Sequence, residues 1–315
     1  MSKEIETSLK TVSIFDKLDW LAIFLDDMEA IWVKRGGDPG MSDITKEKII
    51  NNKKAKVSGF FLCKNDKPVG VAWIEETSPS YGNISYHCLD EDLIPKLVTF
   101  SVEKGYLDNK LMELILIQDL AIYNRILQDL GMTENIRQRM SLWLDQTNLF
   151  EVDDGGYQFY KYGKESMKDA SLMSFRAHQV SQDYVMYKDL MDPVRRIKLE
   201  ERVFNEHYGP VIECGTLMAC KGERMVGAVL VVEVECWGFE KVPWVFDISV
   251  EPEFQGQGLG RKLMEKSINY LSLNQYPVMG LAVTKNNHHA IKLYEKLGFQ
   301  KTDDFYEYIR EMDDE

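Results

Sequence analysis

The chain has 315 residues, about twice the length of a common domain, and this length predicts two domains. Its 44% hydrophobic and 28% charged residues are typical of a soluble globular protein with a full core. A net charge of −13 argues against a nucleic-acid partner, which needs a positive surface, and is compatible with a cationic substrate.

The chain start and the cysteines narrow the expected setting of the protein. The first ten residues carry no apolar segment of the kind found in signal peptides. The longest apolar run, residues 225–232, is too short to cross a bilayer. Five scattered cysteines without CxxC spacing predict neither a disulfide framework nor a zinc site. We therefore expect a cytoplasmic protein that needs no metal and no membrane.

The first half predicts helices followed by a hairpin and a buried strand. Residues 17–33 and 45–55 have the apolar spacing of helices. Residues 60–63 and 71–74 are predicted strands on either side of a short charged turn. Residues 113–117 predict a further buried strand.

The second half repeats landmarks of the first. Residues 63–70 match residues 220–227 at an offset of 157, and residues 127–132 match residues 294–299 at an offset of 167. Two landmarks in the same order favour a duplication over chance similarity. The ten additional residues of the second half fall where it carries a glycine-rich run. The first half has residues 90–97 at that place and no glycine.

Between the halves, residues 153–156 (Asp-Asp-Gly-Gly) give the strongest turn signal. They join two predicted strands, residues 149–152 and 157–162. We place the domain boundary here, which gives domains of residues 1–155 and 156–315.

The second half continues with a predicted strand at residues 171–176 and a helix that starts at Asp192-Pro193, a cap residue followed by proline. Residues 228–234 and 244–250 are predicted strands. The helix after them places five apolar residues on one face, namely Leu259, Leu263, Met264, Ile268 and Leu271. Residues 278–283 and 305–309 complete the predicted strands.

Between residues 244–250 and that helix lies the glycine-rich run Gln255-Gly256-Gln257-Gly258-Leu259-Gly260. A strand, a glycine turn and a helix start direct free backbone N–H groups at an anion. A dinucleotide-binding fingerprint would need glycine at Arg261, and a P-loop would need Lys followed by Ser or Thr after its last glycine. The spacing excludes both of these phosphate loops.

Two separated motifs of the second half resemble the GCN5-related N-acetyltransferase (GNAT) superfamily. One is Gln255-x-x-Gly258-x-Gly260 after the strand Asp247-Ile248-Ser249-Val250, and the other runs from Asn287 through Tyr294 to Phe299. The resemblance covers roughly residues 170–312, and the first half matches only in outline. It implies an α/β (α+β) fold of two tandem GNAT-like domains, each a mixed, mostly antiparallel sheet flanked by helices. The N-terminal copy would be degenerate, without the pyrophosphate loop.

The resemblance also implies acetyl-CoA as the cofactor. In the family the glycine loop holds the pyrophosphate of coenzyme A, and the preceding strand presents backbone groups to the pantetheine arm and an N–H that stabilises the oxyanion. Carried over to this chain, the expected cofactor-binding residues are Ile248, Ser249, Val250, Gln255, Gly256, Gln257, Gly258, Leu259, Gly260, Arg261 and Asn287. Asn287 could equally be a plain helix cap.

Tyr294 lies where many family members place the tyrosine that donates a proton to the departing thiolate. A tyrosine hydroxyl has an ordinary pKa near 10 and a thiol one near 8.5, so full transfer is uphill by about 2 kcal/mol. A hydrogen bond to the developing thiolate is the simpler description of its role. The first half has Leu127 at the matching position, so it lacks this group as well as the loop.

The general base is open between several carboxylates. Asp247 lies in an otherwise apolar strand, and burial there predicts a raised pKa and a possible catalytic role. A structural carboxylate is the alternative. Glu233 and Glu235 could act instead or could line an acidic pocket for the amine. His288 and His289 are interpreted as incidental, exposed residues at a helix start.

The sequence thus predicts an N-acetyltransferase that moves an acetyl group from acetyl-CoA to a primary amine by direct attack. The alternative is a non-catalytic protein that binds or senses acyl-CoA. The acceptor can be a small molecule or a peptide, and the sequence fixes neither its identity nor the oligomeric state.

Overall fold

The computed structural model describes residues 9–51, 56–78, 80–108, 110–180, 186–187 and 192–310. The chain forms two compact units. Unit 1 is Met1–Asn135 with Tyr306–Glu315, and unit 2 is Ile136–Phe305. The functional division predicted at residue 155 stays a prediction.

Unit 1 contains the two predicted helices, the predicted hairpin and the predicted later strand, together with further strands and helices. Its elements are β1 (Leu9–Ser13), α1 (Leu21–Lys34), α2 (Met41–Asn51), β2 (Lys56–Lys64), β3 (Lys67–Ser78), β4 (Tyr81–Cys88), α3 (Ile94–Glu103), β5 (Leu111–Ile115) and α4 (Leu120–Asp129). The strands form a sheet in the order β1-β2-β3-β4-β5, continued by residues 306–309. Every pair is antiparallel except β4 and β5. Of the predicted second helix, residues 52–55 lie outside the described residues.

The predicted hairpin of unit 1 is confirmed and its alternation defines the two faces of the sheet. Asn65 and Asp66 both have positive φ, +51° and +64°, as a two-residue turn between twisted strands requires. Phe60 and Leu62 pack on the side of α3 and α4, whereas Phe61 packs on the side of α1 and α2.

Unit 2 repeats this arrangement. Its elements are β6 (Thr133–Trp143), β7 (Gln158–Lys161), α5 (Met167–His178), α6 (Pro193–Phe204), β8 (Leu217–Lys221), β9 (Arg224–Cys236), β10 (Phe239–Val250), α7 (Leu259–Leu273), β11 (Val278–Thr284), α8 (His288–Lys296) and β12 (Gln300–Ile309). The first three residues of β6 and the last residues of β12 belong to unit 1. The sheet order is β6-β11-β10-β9-β8-β7, antiparallel except for β10 and β11.

Strand β9 shows how the core of unit 2 is built. Val229 and Val231 face α7 and α8, while Ala228 and Leu230 face α5 and α6. This two-residue alternation of apolar side chains lets helices cover both faces of the sheet. The predicted fold class, a mixed and mostly antiparallel sheet flanked by helices, is confirmed in each unit.

Two predicted strands are wrong. Residues 171–176 lie in helix α5, whose buried face includes Ser171 and Ser174. Polar residues on a buried face hide the helical apolar period from sequence reading. Residues 149–152 form no strand; instead the side chain of Asn269 bonds both the N–H and the carbonyl of Phe150, at 2.8 Å each. The side chain of Asn269 thus makes the hydrogen bonds that a neighbouring strand would otherwise make with Phe150.

Candidate functional site

The glycine-rich run connects β10 to α7 in a left-handed conformation. Gly256 has φ +72° and Gly258 has φ +80°. No described heavy atom lies within 4 Å of where a Cβ would stand on either residue, so the loop is open on that side. Leu259, the first residue of α7, is buried at 1% exposure and anchors the loop to the core. The glycines therefore supply a conformation and an open surface together.

The N-terminus of α7 has no side-chain cap, since its cap residue is Gly258. The first N–H groups of an α-helix have no partner within the helix. Gln255 donates to the carbonyl of Val250 at 2.9 Å, and Gln257 donates to that of Glu253 at 2.8 Å. The glutamine side chains thus bond backbone carbonyls that precede the loop. The backbone N–H groups at the start of α7 remain available to bind an anion.

The first turn of α7 also carries two cations. Arg261 pairs with Glu265 at 2.7 Å and remains half exposed, and Lys262 donates to the carbonyl of Asp153. Positive charge at a helix N-terminus opposes the macrodipole and disfavours the isolated helix. The same charge adds to the attraction for an anion at the loop.

Next to the loop, β10 separates from β11. The parallel ladder joins Trp244 to Gly280 and Val245 to Leu281, and the described residues of the two strands form no further ladder beyond it. Phe246 is an additional residue opposite β9, a β-bulge that re-aims the strand. Ile248 and Val250 are half buried at this gap and Ser249 is buried. The backbone of this segment is therefore available on the side that β11 leaves.

Tyr294 lies on α8 and is 6% exposed. Its ring meets that of Phe299 at 5.9 Å between centroids, within the core that α7 and α8 share with the sheet. The helix ends as the sequence predicted, with Gly298 at φ +97° just after the cap residue Leu297. The structure fixes the position of this tyrosine, and its catalytic role stays a prediction.

The remaining predicted residues occupy ordinary positions. Asn287 caps α8 by accepting from the N–H of Ala290 at 3.2 Å. His288 and His289 are exposed, as expected. Glu233 and Glu235 both lie on β9, where Glu233 is half buried and Glu235 is exposed.

The expected raised pKa of Asp247 is wrong. Burial alone would raise the pKa of this carboxyl, but Arg196 and His178 outweigh burial and hold the pKa well below its usual range. The Oδ2 atom accepts from Arg196 at 2.8 Å and Ser249 at 2.7 Å, and Oδ1 lies 2.8 Å from Nε2 of His178. Asp247 is thus ionised at neutral pH and is a poor base on its own.

The polar cluster around Asp247 was missed at the sequence level. Arg196 is 1% exposed and also contacts Glu200 of the same helix at 3.2 Å; burial raises the pKa of Glu200. Ser171 bonds Glu200, and Ser174 donates to Asp247 at 2.8 Å. The one available signal was an Arg and a Glu four residues apart, in line with Val203 on one face of the helix. His178 carried no signal, because only the packing of α5 on β10 brings it there.

A second charged cluster precedes the loop. Glu251 is 2% exposed and accepts from Arg176 at 2.5 Å and from Arg224 at 3.2 Å. Burial raises the pKa of Glu251, but the two guanidinium groups outweigh it and lower the pKa below its usual range. Through Arg176 and Arg224, Glu251 connects α5 and the start of β9 to the segment that follows β10.

Unit 1 has different chemistry at the corresponding strand end. Gly70 pairs with Cys88 as Gly227 pairs with Val250, so Cys88 corresponds to Val250 in the repeat. The amide of Gln118 accepts from the N–H of Cys88 at 3.0 Å and donates to its carbonyl at 2.6 Å. The residues that follow form α3, which starts without a glycine. In unit 1 the side chain of Gln118 therefore bonds the backbone N–H and carbonyl of Cys88 at the end of β4.

Among the described residues no group of three or more His, Cys, Asp or Glu side chains could hold a metal ion. The five cysteines are unpaired, and three of them are buried. Within the described part of the chain, no helix has the length and apolar character needed to cross a membrane.

Part of the chain resembles known acetyltransferases. A family model described as Acetyltransferase (GNAT) family matches residues 177–299. Ribosomal protein bS18-alanine N-acetyltransferase of Escherichia coli (strain K12) is 44% identical over 57 residues, which cover 18% of this chain and 38% of that enzyme. Mycothiol acetyltransferase of Nocardiopsis dassonvillei is 39% identical over 75 residues, 24% of this chain and 23% of that enzyme. The match therefore spans well under half the length of these relatives.

Solved structures extend the likeness of fold over nearly the whole chain. A GCN5-related N-acetyltransferase from Sphaerobacter thermophilus has a TM-score of 0.60 at 12% identity and covers 98% of this chain and 96% of its own. A tandem GNAT protein from the clavulanic acid biosynthesis pathway has a TM-score of 0.53 at 13% identity, with coverage of 96% and 98%. At such identities the likeness concerns the fold alone.

Proposed function

This chain belongs to the GNAT family of acetyltransferases through residues 177–299, and on that premise we propose that unit 2 transfers an acetyl group from acetyl-CoA to a primary amine. The observation that carries the proposal is the open glycine loop at the uncapped N-terminus of α7, beside the end of β10. This combination suits a substrate with a pyrophosphate and a thioester arm.

The residues present fit acetyl-CoA at three points. The loop offers space at Gly256 and Gly258, N–H groups at the start of α7 and the half-exposed guanidinium of Arg261 for the pyrophosphate. The gap between β10 and β11 leaves the backbone of Ile248–Val250 for the amide-bearing arm. A backbone N–H of this segment would stabilise the oxyanion that forms when the amine attacks.

Tyr294 would serve the leaving group in this proposal. Its hydroxyl would donate a hydrogen bond to the sulfur as negative charge develops there, and the packed ring limits its freedom of movement. The amine attacks the thioester directly, because the hydroxyl of Ser249 in the strand motif is buried and donates to Asp247 at 2.7 Å, and so is not activated as a nucleophile. The acceptor is a small-molecule or peptide amine, and the excess of acidic residues in the chain favours a cationic one.

We assign the activity to unit 2 and a supporting role to unit 1. Gln118 occupies the backbone groups of Cys88 that would face a thioester arm, and Leu127 replaces the tyrosine. The side chain of Gln118 uses the only backbone donor of Cys88 and competes with a ligand for its carbonyl.

A panel of amines incubated with the full chain and acetyl-CoA tests the proposal by release of free thiol. The panel should span aminoglycosides, polyamines, amino acids and peptides with free N-termini. Amine-dependent thiol release together with an acetylated product supports the proposal. Tight binding of acetyl-CoA without thiol release from any class would contradict it and favour a non-catalytic acyl-CoA sensor.

A further inference from the structure

A buried, hydrogen-bonded polar cluster of unit 2 joins α5, α6 and β10. Ser174 and His178 come from α5, Arg196 from α6, and Asp247 and Ser249 from β10. Arg196 and Ser249 are almost completely buried, whereas the His178 side chain is 18% exposed. The imidazole is therefore the member of this cluster that is most accessible to a ligand.

The hydrogen bond from His178 to Asp247 determines which ring nitrogen is basic. Asp247 is held ionised by Arg196 and by the hydroxyls of Ser174 and Ser249, so its Oδ1 can only accept. Nε2 of His178, 2.8 Å away, must therefore carry the proton. The neutral imidazole then has its lone pair on Nδ1, for which the described residues provide no hydrogen-bond donor.

The charged groups around the imidazole come from three elements. Asp247 faces it from β10, and α6 contributes Arg196 and Glu200, both almost fully buried. On α5 itself, Arg176 is neutralised by Glu251. The ionised Asp247 accepts the imidazole N–H and so orients the ring, and Arg196 keeps Asp247 ionised.

We propose that His178 is the general base that deprotonates the acceptor amine, with Asp247 as the residue that positions its imidazole. This inference depends on the proposed acetyltransferase function. Asp247 directly precedes Ile248–Val250, the segment assigned to the thioester arm, so the imidazole lies beside the end of β10 where the amine must arrive.

The proton and electron balance of the step is as follows. The substrate ammonium gives one proton to Nδ1 of His178 and becomes a neutral amine with a free electron pair. The nitrogen forms a bond to the carbonyl carbon, the carbon–sulfur bond breaks, and its electron pair leaves with the sulfur. A second proton from the nitrogen ends on the sulfur, and His178 releases the first to solvent.

The variant His178→Gln tests this role, because it keeps a hydrogen-bond donor for Asp247 and removes the titrating lone pair. For an alkylamine acceptor, kcat/KM at neutral pH should fall by roughly 10²–10⁴-fold. Because the variant can use only amine that is already neutral, its kcat/KM should keep rising with pH into the alkaline range, where the amine itself loses its proton. The Kd for acetyl-CoA should stay within about twofold. Hydroxylamine, which is unprotonated at neutral pH, should lose far less activity as acceptor. His207→Gln, at an exposed histidine of the same unit, is the matched control and should keep the full rate.

Each alternative outcome is distinct. If wild-type protein acetylates amines and His178→Gln retains the rate and the pH profile, the role of His178 is refuted and the proposed function survives. Equal losses for both acceptors would assign His178 a structural role only. If the variant does not fold, the wild-type pH profile decides, because a kcat/KM without an acid-side decline contradicts a histidine base. No turnover in the wild-type protein would refute the proposed function and this inference together.

Discussion

Replacing Asp247 by Asn should destabilise unit 2 by about 3 kcal/mol. The substitution removes the negative charge opposite Arg196, which is 1% exposed and 2.8 Å away. Breaking a buried ion pair on one side costs about 3–5 kcal/mol, since the other charge stays buried without its counter-charge. Glu200, 3.2 Å from Arg196, can take over part of this role, and this places the expected value at the lower end.

A matched variant separates burial from ion pairing. Asp303 contacts Arg139 at 2.7 Å, nearly the same distance, but its side chain is 44% exposed and that of Arg139 is 26% exposed. Exposed pairs contribute about 0–1 kcal/mol, so Asp303→Asn should change the free energy of unfolding by no more than that. Both residues belong to unit 2, so the same unfolding transition reports both variants.

Urea denaturation followed by fluorescence measures the two changes, and hydrogen exchange of peptides from α5 and α6 assigns the transition to unit 2. The pH dependence gives a second readout. Because the pKa of Asp247 is lowered on folding, its contribution is fully present above about pH 4 and is lost as the pH falls further. Asp247→Asn should remove this part of the acid destabilisation. A loss below about 1 kcal/mol, or equal losses for both variants, would refute the account of the buried pair.

Three further predictions concern the loop, unit 1 and the proposed acid. Gly258→Ala forces an alanine into a left-handed conformation, which costs about 1–2 kcal/mol, and should raise the KM for acetyl-CoA about tenfold. The control is Gly222→Ala in the β8–β9 turn, where φ is +61°; it should leave this KM unchanged. Gln118→Ala should lower the stability of unit 1 by at least about 2 kcal/mol in urea denaturation, because it leaves buried backbone groups unpaired, while the exposed Gln128→Ala should stay within about 0.5 kcal/mol. Tyr294→Phe should lower kcat at least tenfold in the thiol-release assay with an unchanged Kd for acetyl-CoA; unchanged kcat would remove it as the acid.

Elements with a local chemical signal could be predicted from the sequence. The Asp192-Pro193 helix start is confirmed, with the Asp192 side chain accepting from the N–H of Arg195 at 2.7 Å. The glycine run lies between a strand and a helix, as predicted. It gave a clear signal because Gly256 and Gly258 adopt conformations that other residues disfavour. The internal repeat could be detected because a few residues specify a hairpin turn, and residues 63–70 and 220–227 share them.

Features that depend on distant packing could not be predicted. Helix α5 was interpreted as a strand because Ser171 and Ser174 are buried by hydrogen bonds to acids on other elements. For the same reason the pKa of Asp247 was expected to shift in the wrong direction, since its apolar sequence neighbours give no sign of Arg196. Gln118 is 30 residues away from the backbone groups that it occupies.

Calorimetric titration of the full chain with coenzyme A tests the central claim most directly. We predict one site per chain, in unit 2, with affinity reduced about tenfold by Gly258→Ala and unaffected by Gln118→Ala. Binding of two molecules per chain would contradict the assignment of unit 1, and no binding would contradict the assignment of the glycine loop.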